Sequence, residues 1–577
     1  MNELTRRFFH YLHEPKLLSA TAFLGAINGI SGVLITLLIG RSVDQMVGPG
    51  KVDFQQITTY CFYLLGLIIV NALSQWFIQR NSNLIAYRAS HRLRRDLFYK
   101  LDQLPIRTFD QFSHGNIASR FTNDADNVAT ACTAVFAQVF SGVATILFAL
   151  GIMLYLNGWL TLVVLVSTPV IFIVNWLVAR ASQQNFRAQQ QIVGDLSGFI
   201  NEHVQQQKLV KAFQQEARVK QAFAETNQTL YVQGQKAQFA SSLTNPLSRF
   251  VDHLTYLSLG LVGGLLIVAG WGQVTVGVLS AFLIYASQFS KPFIDLSGIS
   301  TQIQTAFASL KRIFEILDEP DETPDAPDAL VLSQPQGAVT FQQVYFAYQP
   351  TQPLIEDFSL QVAPGETVAI VGKTGAGKST IVNLLMRFYD PDKGAILIDD
   401  VDSRRYTRDS LRQNFGMVLQ DPWLFESTIR ENLLFGRPDA SEEELRAAAR
   451  AAYIDDFIMK LPEGYDTVLG QSGLSLSEGQ EQLLTIARTI ISQPKLLILD
   501  EATSSVDTMT EQFIQKAFLN LMEGRTSFVI AHRLQTIRSA HKILVMEQGK
   551  IIEVGDHDTL IAQHGAYYQL YQAQFQH

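Results

Sequence analysis

Six windows in the first half of the chain are almost continuously apolar, at about 17–40, 57–79, 134–156, 159–179, 251–270 and 274–297. A bilayer core about 30 Å thick is crossed by about 20 such residues in a helix. Buried helices of a soluble protein rarely run so long with so few charges; the third and fourth windows carry none. Each window therefore predicts a membrane span. The connections are unequal. Asn157-Gly158 and Trp271-Gly272-Gln273 are tight turns, and 41–56 is short, whereas 80–132 and 180–250 are long, polar and helix-patterned. The simplest reading extends the membrane helices well past the lipid, each pair meeting in a hairpin with Gly115 and 205–208 near the tips. The first long segment carries Arg88, Arg92, Arg94, Arg95, Lys100, Arg107 and Arg120. Basic excess marks the cytoplasmic side, which places both long segments and both termini there.

The helical pattern of the sixth window runs on through Ser309-Leu310-Lys311-Arg312. Between 318 and 327, three prolines among acidic residues break it, and this stretch reads as a solvated linker. Beyond Gly337 the pattern changes to an alternating strand at 339–348 and short, wholly apolar runs, Val368-Ala369-Ile370-Val371 and Leu496-Leu497-Ile498-Leu499, typical of strands buried on both faces. The expected organisation is a membrane domain over 1–316, a linker over 317–336 and an α/β domain over 337–577.

Charge sharpens this division. Residues 1–320 hold 24 Lys+Arg and 18 Asp+Glu, and the remainder holds 21 and 35. A basic, apolar half suits an anionic membrane surface; the acidic half argues against a nucleic-acid partner, which requires basic stripes. Cys61 and Cys132 both lie in apolar surroundings without metal-ligand spacing, so no disulfide or metal framework is expected. No cleavage site follows a short apolar core near the N-terminus, and the first apolar window is read as a retained anchor.

The chemistry sits in the second half. The apolar run 368–371 leads into Gly372-Lys373-Thr374-Gly375-Ala376-Gly377-Lys378-Ser379-Thr380, and 381–386 then reads as helix. Strand, glycine-rich loop and helix are the context of a phosphate-binding loop, whose glycines let backbone N–H groups close on phosphate oxygens. Lys378 is placed to reach the terminal phosphates of ATP, and Ser379 to bind Mg2+. The run 496–499 ends in Asp500-Glu501. Beside such a loop, Asp500 would hold Mg2+ through water and Glu501 would polarise the attacking water.

From these residues the chain resembles the ATP-binding cassette (ABC) family, and within it half-size exporters of the multidrug type. Further motifs stand in the family's order: Tyr348 where an aromatic stacks on adenine, and Gln420 where a glutamine contacts Mg2+. Leu476-Ser477-Glu478-Gly479-Gln480 resembles the signature sequence, and Ser504-Ser505-Val506-Asp507 the loop crossing between nucleotide domains. His532 stands where a switch histidine meets the γ-phosphate. The resemblance implies a six-span α-helical membrane domain with long cytoplasmic helical extensions, followed by an α/β P-loop ATPase domain with a helical signature subdomain. It also implies that two nucleotide domains face each other, each ATP lying between the loop of one (372–380) and Ser477, Gly479 and Gln480 of the other. A second half-transporter subunit is then required. The hairpin tips, near 110–115 and 208–216, would dock against the segment after Gln420, where Trp423 and Phe425 offer apolar contact.

The chain departs from the family pattern at two places. Glu478 replaces a glycine of the signature and Glu481 a basic residue; Gln471 stands where relatives often carry Glu. An added carboxylate opposes the triphosphate, and this favours a heterodimer. In that pairing Lys378, Glu501 and His532 serve a strong site while the altered signature serves a weak one.

Spans so poor in charge favour an amphipathic or hydrophobic small-molecule cargo, exported across the plasma membrane by alternating access. Charges at membrane depth are costly and often functional: Asp252 and His253 in the fifth window, Lys291 and Asp295 in the sixth. The last two, one helical turn apart, could equally pair with each other. A dedicated lipid or peptide exporter is the alternative within transport. A nucleotide-gated channel or sensor is the alternative outside it, disfavoured by the intact Glu501.

Overall fold

The computed structural model describes residues 3–47, 52–271, 274–373, 375–470, 473–501, 507–531 and 534–575. It divides into two compact units, one of residues 1–102 and 113–319, the other of 103–112 and 320–577.

The first unit is helical. A short helix α1 (Glu3–Tyr11) precedes α2 (Pro15–Asp44) and α3 (Phe54–Gln103); the one-turn helix α4 (Ile106–Gln111), which belongs to the second unit, and a second one-turn helix, α5 (His114–Ser119), lead into α6 (Ala125–Leu156). Then come α7 (Gly158–Gln205), α8 (Gln207–Ala212), α9 (Glu216–Ser242), α10 (Thr244–Val268) and α11 (Val276–Leu317). At 1.5 Å per residue, the 50 residues of α3 span about 75 Å, far more than a bilayer core, so the expected extension past the lipid is present as continuous helix. The helix α4 and the junction of α7 with α8 fall where hairpin tips are expected.

Among the described residues, five helical stretches are long and apolar enough to cross a membrane: Pro15–Asp44, Phe54–Gln103, His114–Leu156, Gly158–Gln205 and Glu216–Val268. The sixth window forms a continuous helix, α11, but Gln288, Lys291, Pro292 and Asp295 dilute its apolar character.

Small residues bring these helices into backbone contact. A Cβ added to Gly25 or Gly29 of α2 would lie 2.9 Å or 2.8 Å from α6 atoms. Polar side chains join them across the lipid: Asn71 Nδ2 donates to Asn28 O at 3.0 Å and Asn28 Nδ2 to Asn71 O at 3.1 Å. Small-residue seams and interhelical amide bonds are the glue expected where water supplies no hydrophobic drive. At one end of the bundle the Asp44 carboxylate accepts from Gly277 N at 2.7 Å and Thr275 Oγ1 at 2.8 Å, tying α2 to α11. Near the other end, a single π-helical turn (Arg120–Asp124) opens α6 and supplies buried Asp124, which accepts from Ser309 Oγ and Arg312 Nε of α11, both at 2.9 Å. Cys61 and Cys132 are free thiols.

In the second unit, an antiparallel sheet of order β2-β1-β4-β5 uses β1 (Val339–Phe346), β2 (Ile355–Val362), β4 (Lys393–Ile398) and β5 (Val401–Asp402). A mostly parallel sheet of order β10-β9-β3-β8-β7-β6 uses β3 (Thr367–Gly372), β6 (Phe415–Val418), β7 (Leu496–Glu501), β8 (Thr526–Ala531), β9 (Lys542–Glu547) and β10 (Lys550–Gly555). Strand side chains alternate between faces, so the apolar runs divide by parity into two cores. Ala369, Val371, Leu497, Leu499 and Val529 enter the core shared with helices α14 (Ile429–Leu434), α15 (Glu442–Ala451), α16 (Asp455–Ile458), α17 (Glu478–Ile491) and α18 (Thr508–Met522). Val368, Ile370, Leu496, Ile498 and Phe528 enter the other, with helices α12 (Lys378–Leu385) and α13 (Arg408–Gln413) and the antiparallel sheet.

The acidic stretch after α11 is largely exposed over 321–328, yet it is fastened within the second unit. Leu330 N donates to Arg405 O at 2.8 Å, Thr407 N to Leu330 O at 2.9 Å, and Asn414 Nδ2 to Leu332 O at 2.8 Å. Glu322 and Asp325 pair with Arg412 and Arg408. The acids that suggested solvation find arginines more than eighty residues away in sequence, which no local pattern reveals.

Candidate active site

The C-terminal ends of parallel strands are where open α/β sheets bind ligands, and the expected residues gather at that edge. Gly372 ends β3, Asp500 and Glu501 end β7, and Gln420 follows β6 by two residues. With β3, β8, β7 and β6 adjacent in that order, four separate pieces of sequence are brought to one rim. Thr374, His532, the Glu501 side chain, Gln471 and 504–506 lie outside the described residues.

The loop is shaped for close approach. Gly372 has φ +156°, and a Cβ there would stand 2.3 Å from Met546 O of β9, a backbone atom fixed by the sheet. Gly377, at φ +95°, is the N-cap of α12 without a side-chain cap, so the first turn presents backbone N–H groups to a ligand. Lys378, the first residue of α12, folds back over the loop: its ammonium donates to Gly372 O at 2.8 Å and Lys373 O at 3.1 Å. Burial lowers its pKa from the ordinary lysine value, and the nearby Asp500 carboxylate partly opposes this. A half-buried cation whose hydrogen bonds among the described residues go to backbone carbonyls is a fitting seat for an anion. Ser379 is exposed beside it and Thr380 is buried in the helix, while Lys373 projects outward, 4.0 Å from Glu547. Gly375, at φ +83°, has nothing near its missing Cβ, and Ala376 is buried with its N donating to Lys373 O at 3.1 Å.

Tyr348 lies two residues beyond β1, which ends at Phe346. Its ring packs edge-to-face on Phe346 at 4.9 Å and on Tyr389 at 5.0 Å, and its hydroxyl accepts from Asn383 Nδ2 of α12 at 2.8 Å. These contacts fix the aromatic beside the loop helix and leave part of it exposed.

The signature turn is a helix start. Ser477 caps α17 in a capping box: its N donates to Gln480 Oε1 at 3.0 Å, and its Oγ accepts from Gln480 N at 3.4 Å. Gln480 therefore spends its carbonyl on the cap, and Gly479 is buried against the helix core. Glu478 is exposed in the first turn. Burial raises the pKa of Glu481 above the usual carboxylate value, and Glu478 adds to the effect. Among the described residues, Ser477–Gln480 share no hydrogen bond with 372–380.

Trp423 and Phe425 pack on each other at 4.4 Å, Phe425 packs on Phe435 at 4.7 Å, and the Arg488 guanidinium lies over the rings of Phe425 and Phe435. The tip residue Asp110 accepts a hydrogen bond from the Tyr389 hydroxyl. In α11, Lys291 and Asp295 make no ion pair among the described residues. Sequence reasoning passed over Tyr389 and Arg387, which follow the loop helix and carry no motif of their own.

Comparison with known proteins matches this architecture. The ABC transporter transmembrane region family matches residues 18–293, and the ABC transporter family matches residues 355–504. An uncharacterized ABC transporter ATP-binding protein, YfiC of Bacillus subtilis, is 40% identical over 573 residues, covering 99% of this chain and 94% of its own. A fatty acid ABC transporter ATP-binding/permease protein of Mycobacterium tuberculosis is 43% identical, covering 91% and 83%. A putative multidrug export ATP-binding/permease protein, YgaD of Bacillus subtilis, is 35% identical, covering 99% of both. A helical membrane domain and an α/β nucleotide-binding domain in one chain define an ABC transporter, and the chain belongs to that family. It has the half-transporter architecture of an exporter: a multi-pass membrane protein that couples ATP hydrolysis to transport.

Proposed function

We propose that this chain is one subunit of a dimeric, plasma-membrane exporter of amphipathic or hydrophobic compounds, with six spans and its ATPase domain in the cytoplasm. The observation that carries the site assignment is the half-buried Lys378 ammonium, folded onto the loop carbonyls at the foot of α12. Bound ATP supplies the γ-phosphoryl group whose hydrolysis drives the cycle. Lys378 would leave its carbonyls for the terminal phosphates, the N–H groups of 375–380 would cradle them, and Tyr348 would stack on adenine. Ser379, Gln420 and Asp500 form the oxygen-rich set suited to Mg2+, while Glu501 orients the attacking water and His532 meets the γ-phosphate.

Glu478 and Glu481 favour a heterodimer, in which this chain's Lys378, Glu501 and His532 serve the hydrolytic site and its signature serves a weaker one. For cargo, the low charge of the spans agrees with relatives named for fatty acids and for multidrug export, and Lys291 and Asp295 of α11, which form no ion pair among the described residues, are proposed to contact it. The test is co-purification from native membranes followed by inverted-vesicle uptake of a fluorescent fatty acid and of a cationic dye. The Glu501→Gln variant is expected to retain nucleotide and stop net uptake; pumping at the wild-type rate refutes the reading of Glu501. Full ATP turnover from this chain purified alone refutes the heterodimer.

A further inference from the structure

The residues that follow the loop helix have an unusual arrangement. The helix α12 closes with Phe388 N donating to Asn383 O at 2.9 Å and Arg387 N to Leu384 O at 3.1 Å, which puts Arg387 at the left-handed position of the cap, φ +51°. Glycine is the usual residue there, because a side chain is strained. An arginine at such a position points to a task for its guanidinium. The side chain is buried: it donates to Tyr406 O at 2.8 Å, Ser403 O at 3.2 Å and Asp390 at 3.1 Å, and lies 3.7 Å from Asp325.

Asp325 also accepts from Arg408 Nη1 and from Arg408 N, both at 2.9 Å. Arg408 is itself buried, with Nε 3.3 Å from Glu322, and Arg412 Nη2 donates to Glu322 at 2.6 Å. Buried guanidinium groups are tolerated only when paired and hydrogen-bonded, so the acids of 320–325 are what make this interior sound. The same segment turns back to the hairpin tip, where Glu322 N donates to Gln103 O at 2.7 Å. Three residues past Gln103 begins α4, whose Asp110 meets the Tyr389 hydroxyl, two residues from Arg387. The contacts form a closed circuit: Gln103, Glu322, Arg412 and Arg408, Asp325, Arg387, Tyr389, Asp110 and back along α4.

We propose that Glu322 and Asp325 are positioning residues for ATP-coupled transport, closing a polar ring that fastens α4, α13 and the end of the loop helix α12 into one body. The inference rests on the reading that 372–380 binds ATP. The eight residues of α12 span about 12 Å, so a shift at its phosphate end arrives undiminished at Arg387. Without the ring, the Tyr389–Asp110 hydrogen bond is the side-chain tie from α4 to that end seen among the described residues.

The test uses the full chain, with its partner if one co-purifies, in lipid nanodiscs, after Cys61→Ser and Cys132→Ser. Spin labels at Arg107→Cys on α4 and Asp409→Cys on α13, both exposed, report their separation without nucleotide and after trapping with Mg·ATP and vanadate. One narrow distance, the same in both states, is expected. Glu322→Gln with Asp325→Asn is expected to at least double the width of the distribution while the KM for ATP stays within twofold. Arg412→Gln alone, which spares both buried arginines, is expected to widen it to a lesser degree. A width unchanged in both variants overturns the proposal, as does a wild-type separation that differs between the states. A KM displaced by more than twofold overturns it too, since the acids would then be shaping the nucleotide site. Lys378→Ala keeps these judgements separate: wild-type ATP turnover in that variant overturns the nucleotide-site reading, and the nucleotide-free width still decides on the ring.

Discussion

Removing the charge of Glu478 should tighten ATP binding by a modest, calculable amount. Two unit charges ~6 Å apart interact by ~3 kcal/mol at an effective dielectric of 20, and by ~0.7 kcal/mol in bulk water. The carboxylate stands exposed in the first turn of α17, so the lower figure governs, and ~0.7 kcal/mol corresponds to about a threefold change in affinity. Against this, an acid in the first turn of a helix is favourable by ~0.3–1 kcal/mol, and a glycine in place of glutamate costs about as much again. The two neutral replacements are thereby separated. Glu478→Gln should lower the Kd for ATP at the weaker site about threefold with a small loss of stability; Glu478→Gly should give the same Kd with a melting transition lower by a further ~1 kcal/mol equivalent. Equilibrium ATP binding and thermal unfolding of the reconstituted transporter measure both. An unchanged or raised Kd in both variants refutes the electrostatic account of this signature, and a hundredfold fall refutes the dielectric argument.

Gly372→Ala would set a methyl against the Met546 carbonyl, 2.3 Å from its position; ATP turnover is expected to fall at least tenfold and melting to occur earlier. Asp124→Asn removes the charge that holds Ser309 and Arg312 of α11, which should cost about 2 kcal/mol, read as earlier melting of the membrane unit in detergent. Glu481, raised above the ordinary carboxylate value, gives a penalty that is absent below the unfolded pKa of ~4.3, grows as pH rises from there to the folded value, and is constant above it. Glu481→Gln should therefore be more stable than wild type at pH 7, and the difference should vanish near pH 4.

The features legible in the sequence are those written in consecutive residues. Apolar windows become helices because a lipid-facing helix must be apolar throughout its length. The runs at 368–371 and 496–499 become central strands because both of their faces are covered. The loop 372–380 is likewise contiguous, so its glycines and Lys378 could be placed beforehand. What escaped depends on partners far apart in the chain. Glu322 and Asp325 look like solvated charge until Arg387, Arg408 and Arg412 are folded beneath them. The spacing of Lys291 and Asp295 promises an ion pair, yet Pro292 lies between them within α11 and no pair forms among the described residues. Tyr389 carries no motif, and its role as the seat of Asp110 emerges only in three dimensions.

The seam between α2 and α11 limits how the membrane unit can deform. A Cβ on Gly277 would lie 2.0 Å from Gly40 O, so no side chain cushions these two backbones, and the Asp44 carboxylate rivets them at the same level. Neither helix can slide along the other without first lifting off it. Whatever aperture the bundle opens at that end must therefore part along a different line, with α2 and α11 travelling together as one wall of the gap.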